Sequence, residues 1–356
     1  MKIAVIAPPW IPIPPPKYGG TELVIYNLVE GLKEAGEDVV LFAPKDSNVS
    51  CRLMPYMENK YYFGLDSPEY SKAVVGELAA KYAFNRAGYE GVDIIHCHML
   101  DIPDVDIPCV YTLHGPANEA TVLRCVELSK DPKNGFVSIS KRQQQLHTVL
   151  SDKINFIGNA YNCINAKTIE WKKKKEDFFL FAGRVNWEKG LDLAIRVASK
   201  AGVNLIMAVK MTEEFEKEFF RKEILPWIEK YPQHLFFQFQ KELPRQMIFD
   251  LMRRARCTLF TSQWEEPFGL VMVESLACGT PVIALRRGAA PEVIVDGKTG
   301  YCVDTEEDMV KLIKEGKIEK IRPEVCRRYV EKNFSRERMI RDYMAAYKKL
   351  LALNNR

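Results

Sequence analysis

The feature that most constrains the fold of this chain is its rhythm. Short apolar runs of three to seven residues alternate with longer amphipathic stretches from one end to the other. Runs of that length, apolar on both faces, fit strands of a parallel sheet covered on both sides, and the stretches between them fit the crossover helices such a sheet requires. In the first part of the chain the runs are Ile3–Ala7, Val39–Ala43, Ile94–Cys97, Cys109–Leu113, Phe136–Ile139 and Ile154–Ile157. The polar stretches Gly158-Asn-Ala-Tyr-Asn-Cys-Ile-Asn165 and Trp171-Lys-Lys-Lys-Lys-Glu-Asp177 then break the pattern. A second series follows at Phe178–Ala182, Val203–Val209, Leu235–Phe239, Cys257–Phe260, Pro281–Ala284 and Tyr301–Val303. This predicts an α/β protein of two doubly wound, Rossmann-like domains, residues 1–160 and 161–335, joined by a linker at the break. A length of 356 residues agrees, being long for a single core. Ligands of such sheets bind beyond the carboxyl ends of the strands, so two facing domains are expected to share a cleft.

Composition removes several classes. With 47% hydrophobic and 28% charged residues, the chain is neither disordered nor fibrous. The apolar run after Met1 is far shorter than a secretory core, and no window approaches the roughly 20 apolar residues that span a bilayer. A cytoplasmic protein is expected, with peripheral membrane contact left open. Nine cysteines scattered through apolar segments read as reduced core thiols without a zinc framework. Residues 1–165 carry 15 Lys and Arg against 19 Asp and Glu, while residues 166–356 carry 36 against 28. A basic second part suits an anionic small molecule, although solvated lysine-rich helix faces account for much of it equally well. Nucleic acid is not expected as a partner.

Four stretches carry candidate chemistry. In Glu266-Pro-Phe-Gly-Leu-Val-Met-Val-Glu274, Pro267 and Gly269 favour a loop opening into a helix, which sets Glu266 at its mouth and Glu274 about two turns along. Two carboxylates so placed can bind hydroxyls of one extended ligand; the bland alternative is a buried helix with two solvated glutamates. In Phe181-Ala-Gly-Arg184-Val-Asn-Trp-Glu-Lys189-Gly190 a guanidinium and an ammonium flank a loop directly after a strand, an arrangement suited to a diphosphate leaving group. Gly19 and Gly20 open a helix after a proline-rich loop and offer backbone N–H groups to an anion, unless they form only a turn capped by Thr21. His114, in Tyr111-Thr-Leu-His-Gly-Pro116, ends a strand and is expected to face the cleft. His96 and His98 lack further ligands, so they read as strand-end cleft residues and no metal site is expected. The aromatic and methionine-rich segment 52–65 is expected to pack locally; lining an acceptor site or touching a membrane is the weaker alternative.

Together these motifs resemble the retaining glycosyltransferases related to glycogen and sucrose synthases, the group often called family 4 or group 1. The Glu-x7-Glu spacing, Gly-Arg-x4-Lys-Gly, Gly-Gly-x-Glu and Thr-x-His-Gly patterns occur in the expected order over nearly the whole chain. The resemblance implies a GT-B fold, with the last helix, about 336–356, crossing back onto the first domain. It implies transfer of a hexose from a nucleotide-diphosphate sugar, UDP-glucose by family frequency, to a carbohydrate, lipid-linked or small-molecule acceptor. No metal or other cofactor is implied, and displacement is from the front face. By the same resemblance Glu266 and His114 contact the donor sugar, Arg184 and Lys189 hold the diphosphate, and Glu274 holds the ribose. Gly19, Gly20, Gly183, Phe268, Gly269 and Leu270 would complete the donor site. A sugar-nucleotide 2-epimerase and a non-catalytic sugar-nucleotide binder are the rival readings. The chain departs from the family pattern at Gly158-Asn-Ala-Tyr-Asn162, where Pro-Asn-Gly and an acid are usual, and at Gly36-Glu37, where Gly-His is common.

Overall fold

The structure, a computed structural model, describes the chain except residues 17–18, 56–68, 102–104, 231–234, 237–242 and 355–356, and except the side chains of 69–73 and 235–236. Most of the aromatic segment 52–65 therefore lies outside the described residues. The chain divides into two compact units, Met1–Cys163 with Arg336–Arg356, and Ile164–Ser335.

The first unit is built on a seven-stranded, wholly parallel sheet. Its strands are β1 (Lys2–Ile6), β2 (Asp38–Ala43), β3 (Arg52–Pro55), β4 (Ile94–Cys97), β5 (Cys109–Leu113), β6 (Asn134–Ser138) and β7 (Phe156–Asn159). They are ordered β3-β2-β1-β4-β5-β6-β7. Helices α1 (Gly20–Glu34), α2 (Glu69–Glu90), α3 (Glu119–Leu128) and α4 (Lys141–Leu150) make the crossovers. The central strands are buried along their length because helices cover both faces. Helix α1 turns Val24, Ile25, Leu28, Val29 and Leu32 inward, each worth about 1.5–3 kcal/mol of burial.

The second unit repeats the plan with six parallel strands: β8 (Phe179–Arg184), β9 (Leu205–Lys210), β10 (Leu235–Phe236), β11 (Cys257–Phe260), β12 (Val282–Leu285) and β13 (Gly300–Val303). Their order is β10-β9-β8-β11-β12-β13. The helices are α5 (Leu191–Ala201), α6 (Glu214–Phe219), α7 (Leu225–Lys230), α8 (Arg245–Arg254), α9 (Leu270–Ala277), α10 (Ala290–Val293), α11 (Glu306–Lys314) and α12 (Pro323–Asn333). The final helix, α13 (Arg336–Asn354), belongs to the first unit. It buries Met339, Ile340, Tyr343, Ala346, Tyr347 and Leu350, a single helical face.

Strand order reverses between β1 and β4 in the first sheet and between β8 and β11 in the second. Loops that leave neighbouring strands in opposite directions open a crevice at such a point. The loops after β8 and β11 therefore define the ligand end of the second unit, and those after β1, β4 and β5 that of the first.

Of the thirteen strands among the described residues, twelve lie on the expected apolar runs. Strand β3 does not: Arg-Leu-Met-Pro is a short edge strand whose outer residues are exposed, so it carries no apolar run. The run 235–239 is a strand at Leu235–Phe236, and its remainder lies outside the described residues. All nine cysteines are buried and unpaired with one another. Among the described residues no helix is long and apolar enough to cross a membrane.

Candidate functional site

In the second unit the motif residues lie at the end of β8 and on the loops and helix that follow β8 and β11, where the strand order reverses, and of the four charged ones only Lys189 and Glu266 touch. Arg184 ends β8, with Gly183 just before it, and its Nε donates to Oε1 of Glu216 at 2.7 Å. Glu216 is fully buried on α6, and its Oε2 accepts the backbone N–H groups of Thr212 (2.8 Å) and Glu213 (3.0 Å). A buried carboxylate held by two amides is a fixed anchor for the guanidinium.

Lys189 closes the helical turn Trp187–Lys189 that leads into α5. Its Nζ donates to Oε2 of Glu266 at 2.5 Å and lies 5.3 Å from the centre of the Trp264 ring. The same glutamate oxygen accepts Trp264 Nε1–H at 2.7 Å and the Ser262 hydroxyl at 3.4 Å. Three donors on Oε2 fix the carboxylate, and Oε1 has no partner among the described residues.

Two glycines bring the loops this close. Gly190 adopts φ +67°, and a Cβ there would fall 2.1 Å from the carbonyl oxygen of Thr261, at the end of β11. Gly288 adopts φ +53°, and a Cβ there would meet the Glu266 backbone at 2.3 Å. Gly288 N–H donates to Glu265 Oε2 at 3.0 Å, and Ala289 N–H to the Glu266 carbonyl at 2.9 Å. The loop after β12 thus clamps the carboxylate loop.

Gly269 and Leu270 open α9, and Glu274 lies in its second turn, almost wholly buried. Glu274 Oε1 accepts from Arg245 Nη2, and the Arg245 guanidinium lies 5.0 Å from the Phe249 ring centre. The Phe268 ring is 2% exposed and meets Phe334 edge-on, so only its backbone is available to a ligand.

In the first unit, Gly19 and Gly20 lie at the start of α1. Gly19 has extended backbone, and its lack of a side chain matters for space: a Cβ would meet Pro15 at 2.7 Å and Glu22 Oε2 at 2.8 Å. The positive end of α1 thus already has a carboxylate beside it. His114 follows β5 and is half-buried. Its flanking carbonyls, on Leu113 and Gly115, both accept from Gln143 Nε2, at 3.0 and 2.7 Å. His98 Nδ1 lies 2.8 Å from His114 Nε2. His96 is not the strand-end cleft residue expected: it is inside β4, fully buried, and bonded to Tyr347 and Thr112. Burial, with repulsion from His114, pushes it down to about 3.

The pattern of this chain matches known families over both units. The model of Glycosyltransferase Family 4 matches residues 18–149, and that of Glycosyl transferases group 1 matches residues 165–333. The chain belongs to the group 1, family 4 glycosyltransferases. An uncharacterized glycosyltransferase of Methanocaldococcus jannaschii is 26% identical over 94% of this chain and 96% of its own. Among solved structures, sucrose-phosphate synthase from Thermosynechococcus elongatus superposes with TM-score 0.80 at 18% identity, over 99% of both chains. Anabaena HepE in complex with UDP and glucose superposes with TM-score 0.70 at 15% identity, over 97% of this chain and 98% of that one. The fold is therefore of the GT-B type, and the protein is a transferase enzyme.

In this glycosyltransferase the four charged residues singled out from sequence all lie at the ligand end of the second sheet, but each is already paired. Two of the groups that hold them were not legible as partners. Glu216 and Arg245 lie 32 and 29 positions from the residues they hold, on helices whose placement only the fold determines. Trp264, two positions from Glu266, was within reach of a local reading.

Proposed function

We propose that this protein is a retaining, metal-independent hexosyltransferase that takes its sugar from a nucleotide diphosphate, with UDP-glucose the favoured donor. The observation that carries the reading is the pairing of Lys189 with Glu266 on the loops that follow β8 and β11, at the reversal point of the second sheet, with Arg184 held by Glu216 at the end of β8. Two anchored cations suit a diphosphate, and the unpartnered Oε1 of Glu266 suits a sugar hydroxyl. Glu274 is the candidate for the ribose hydroxyls, in which case the nucleoside competes with Arg245 for that carboxylate. The UDP and glucose in the Anabaena neighbour support the choice of donor.

In the proposed reaction the C1–phosphate bond breaks and the acceptor oxygen bonds to C1 from the same face. The acceptor proton passes to the departing phosphate oxygen, and Arg184 and Lys189 stabilise the charge growing there. No carboxylate need act as a covalent nucleophile. On the first unit, Gly19 and Gly20 remain candidates for an anionic group and His114 for the donor sugar. The acceptor is a carbohydrate, a lipid-linked sugar or a small molecule.

The test is incubation with UDP-glucose, GDP-mannose and ADP-glucose and an acceptor panel, with and without EDTA, followed by NMR of the products. Release of UDP with an α-configured glucoside, unaffected by EDTA, is expected. A β-configured product or loss of activity in EDTA would overturn the retaining or metal-independent assignment, and turnover of another donor alone would overturn the choice of glucose from UDP.

A further inference from the structure

Three histidine rings of the first unit stack in series. His96 and His98 have ring centroids 4.3 Å apart and His98 and His114 5.1 Å, both pairs inclined by 28°. The stack is anchored on the last helix: His96 Nδ1 bonds to the Tyr347 hydroxyl at 2.6 Å and Nε2 to Thr112 Oγ1 at 2.7 Å, and Thr112 in turn to Tyr343 at 3.0 Å. At the other end, the 2.8 Å bond between His98 Nδ1 and His114 Nε2 holds one proton between two rings. The tautomers of the two rings are therefore tied together.

Burial pushes His114 down to about 4 and His98 well below its ordinary value, repulsion from His96 and His114 adding to the latter, so both rings are neutral at pH 7. The remaining nitrogen of His98, Nε2, is buried and has no partner among the described residues. An N–H there would be an unsatisfied buried donor, costing about 1–3 kcal/mol. A bare ring nitrogen is the less costly orphan. The His98 proton accordingly belongs on Nδ1, where it has a partner.

We infer that His98 is a positioning residue for His114: its Nδ1–H donates to His114 Nε2, so that His114 carries its own proton on Nδ1 and offers a hydrogen-bond donor to an oxygen of the sugar donor. An acceptor nitrogen in that place would instead select a hydroxyl proton. This rests on the proposed donor-sugar role of His114.

The test is long-range 1H–15N NMR on the full-length protein, labelled at its five histidines and free of substrate. Spectra of wild type and His98→Phe are compared, with His114→Gln for assignment and donor kinetics on all three. In wild type, His114 is expected to show a protonated Nδ1 and a bare Nε2. In His98→Phe the proton should move toward Nε2, with kcat/KM for the donor falling about fivefold to tenfold, the worth of one neutral hydrogen bond. A wild-type His114 protonated on Nε2, or a tautomer unchanged in a folded His98→Phe, overturns the inference; the wild-type spectrum decides alone should the variant not fold. Full turnover in His114→Gln would overturn the underlying role of His114, a failure the tautomer spectrum of the free protein does not share.

Discussion

The two units carry their candidate groups by opposite means. The second unit uses ion pairs: Arg184 on Glu216, Lys189 on Glu266 and Arg245 on Glu274, each joining residues from different elements or loops. The first uses neutral, hydrogen-bonded rings, two of them buried and His114 half-buried, with a tyrosine pair from α13 at their base. The difference follows from what each is proposed to hold. A diphosphate needs fixed positive charge, whereas a sugar hydroxyl needs only a correctly directed dipole. It also separates the responses of the two regions to mutation, acid and local crowding.

The largest effect is expected at the charges. Arg184→Ala or Lys189→Ala should lower turnover by about 10²–10³, since each removes a charged group aimed at the leaving phosphate. Wild-type turnover in either would mean that the ion pairs serve stability alone.

Acid should act next, and mainly on the first unit. His96, His98, His114 and His147 all titrate below an unfolded value near 6.5, in each case through burial first. The unfolded chain then binds more protons, so the stability these rings contribute is complete above about pH 6.5 and is lost as pH falls toward the folded values. Between pH 6.5 and 5.5 His96 and His114 should each cost about 1 kcal/mol. No described residue of the second unit is a histidine, and carboxylates ordinarily titrate below about pH 5. Hydrogen exchange over this range should show protection falling faster in the first unit; parallel loss in both would break the contrast.

The carboxylate loop offers a smaller lever. Gly288→Ala places a methyl group against the Glu266 backbone in a left-handed conformation, which should displace the carboxylate and lower turnover about tenfold. Unchanged kinetics would show that the clamp from the loop after β12 does not set the position of Glu266. Smallest of all, Trp264→Phe keeps the ring beside Lys189 but removes one of three donors to Glu266 Oε2, and should raise KM for the donor about fivefold. A change in kcat with KM untouched would place Trp264 in the chemical step instead.

This division between the units was only half legible in the sequence. Alternation of apolar runs revealed twelve strands because a strand covered on both faces must be apolar throughout; β3, exposed at a sheet edge, escaped for the same reason. Arg184, Lys189 and Glu266 stood out because they sit at strand ends and loops beside glycine or proline, and Glu274 by its spacing from Glu266. Their partners did not, since Glu216 reads as one of several acids in Glu213-Glu-Phe-Glu-Lys-Glu218 and Arg245 as an ordinary helix-opening basic residue. Nor did His96 declare itself, because a histidine in an apolar strand has no local mark showing whether it faces solvent or a tyrosine 251 positions away.

In the proposed reaction one end of the second sheet holds the diphosphate and the sugar through different residues. Calorimetric titration of UDP and UDP-glucose into wild type, Lys189→Ala and Glu266→Gln tests it most directly. Lys189→Ala should weaken both ligands, whereas Glu266→Gln should weaken UDP-glucose and leave UDP close to wild type. Equal loss of both ligands in Glu266→Gln, or undiminished UDP binding in Lys189→Ala, would contradict it.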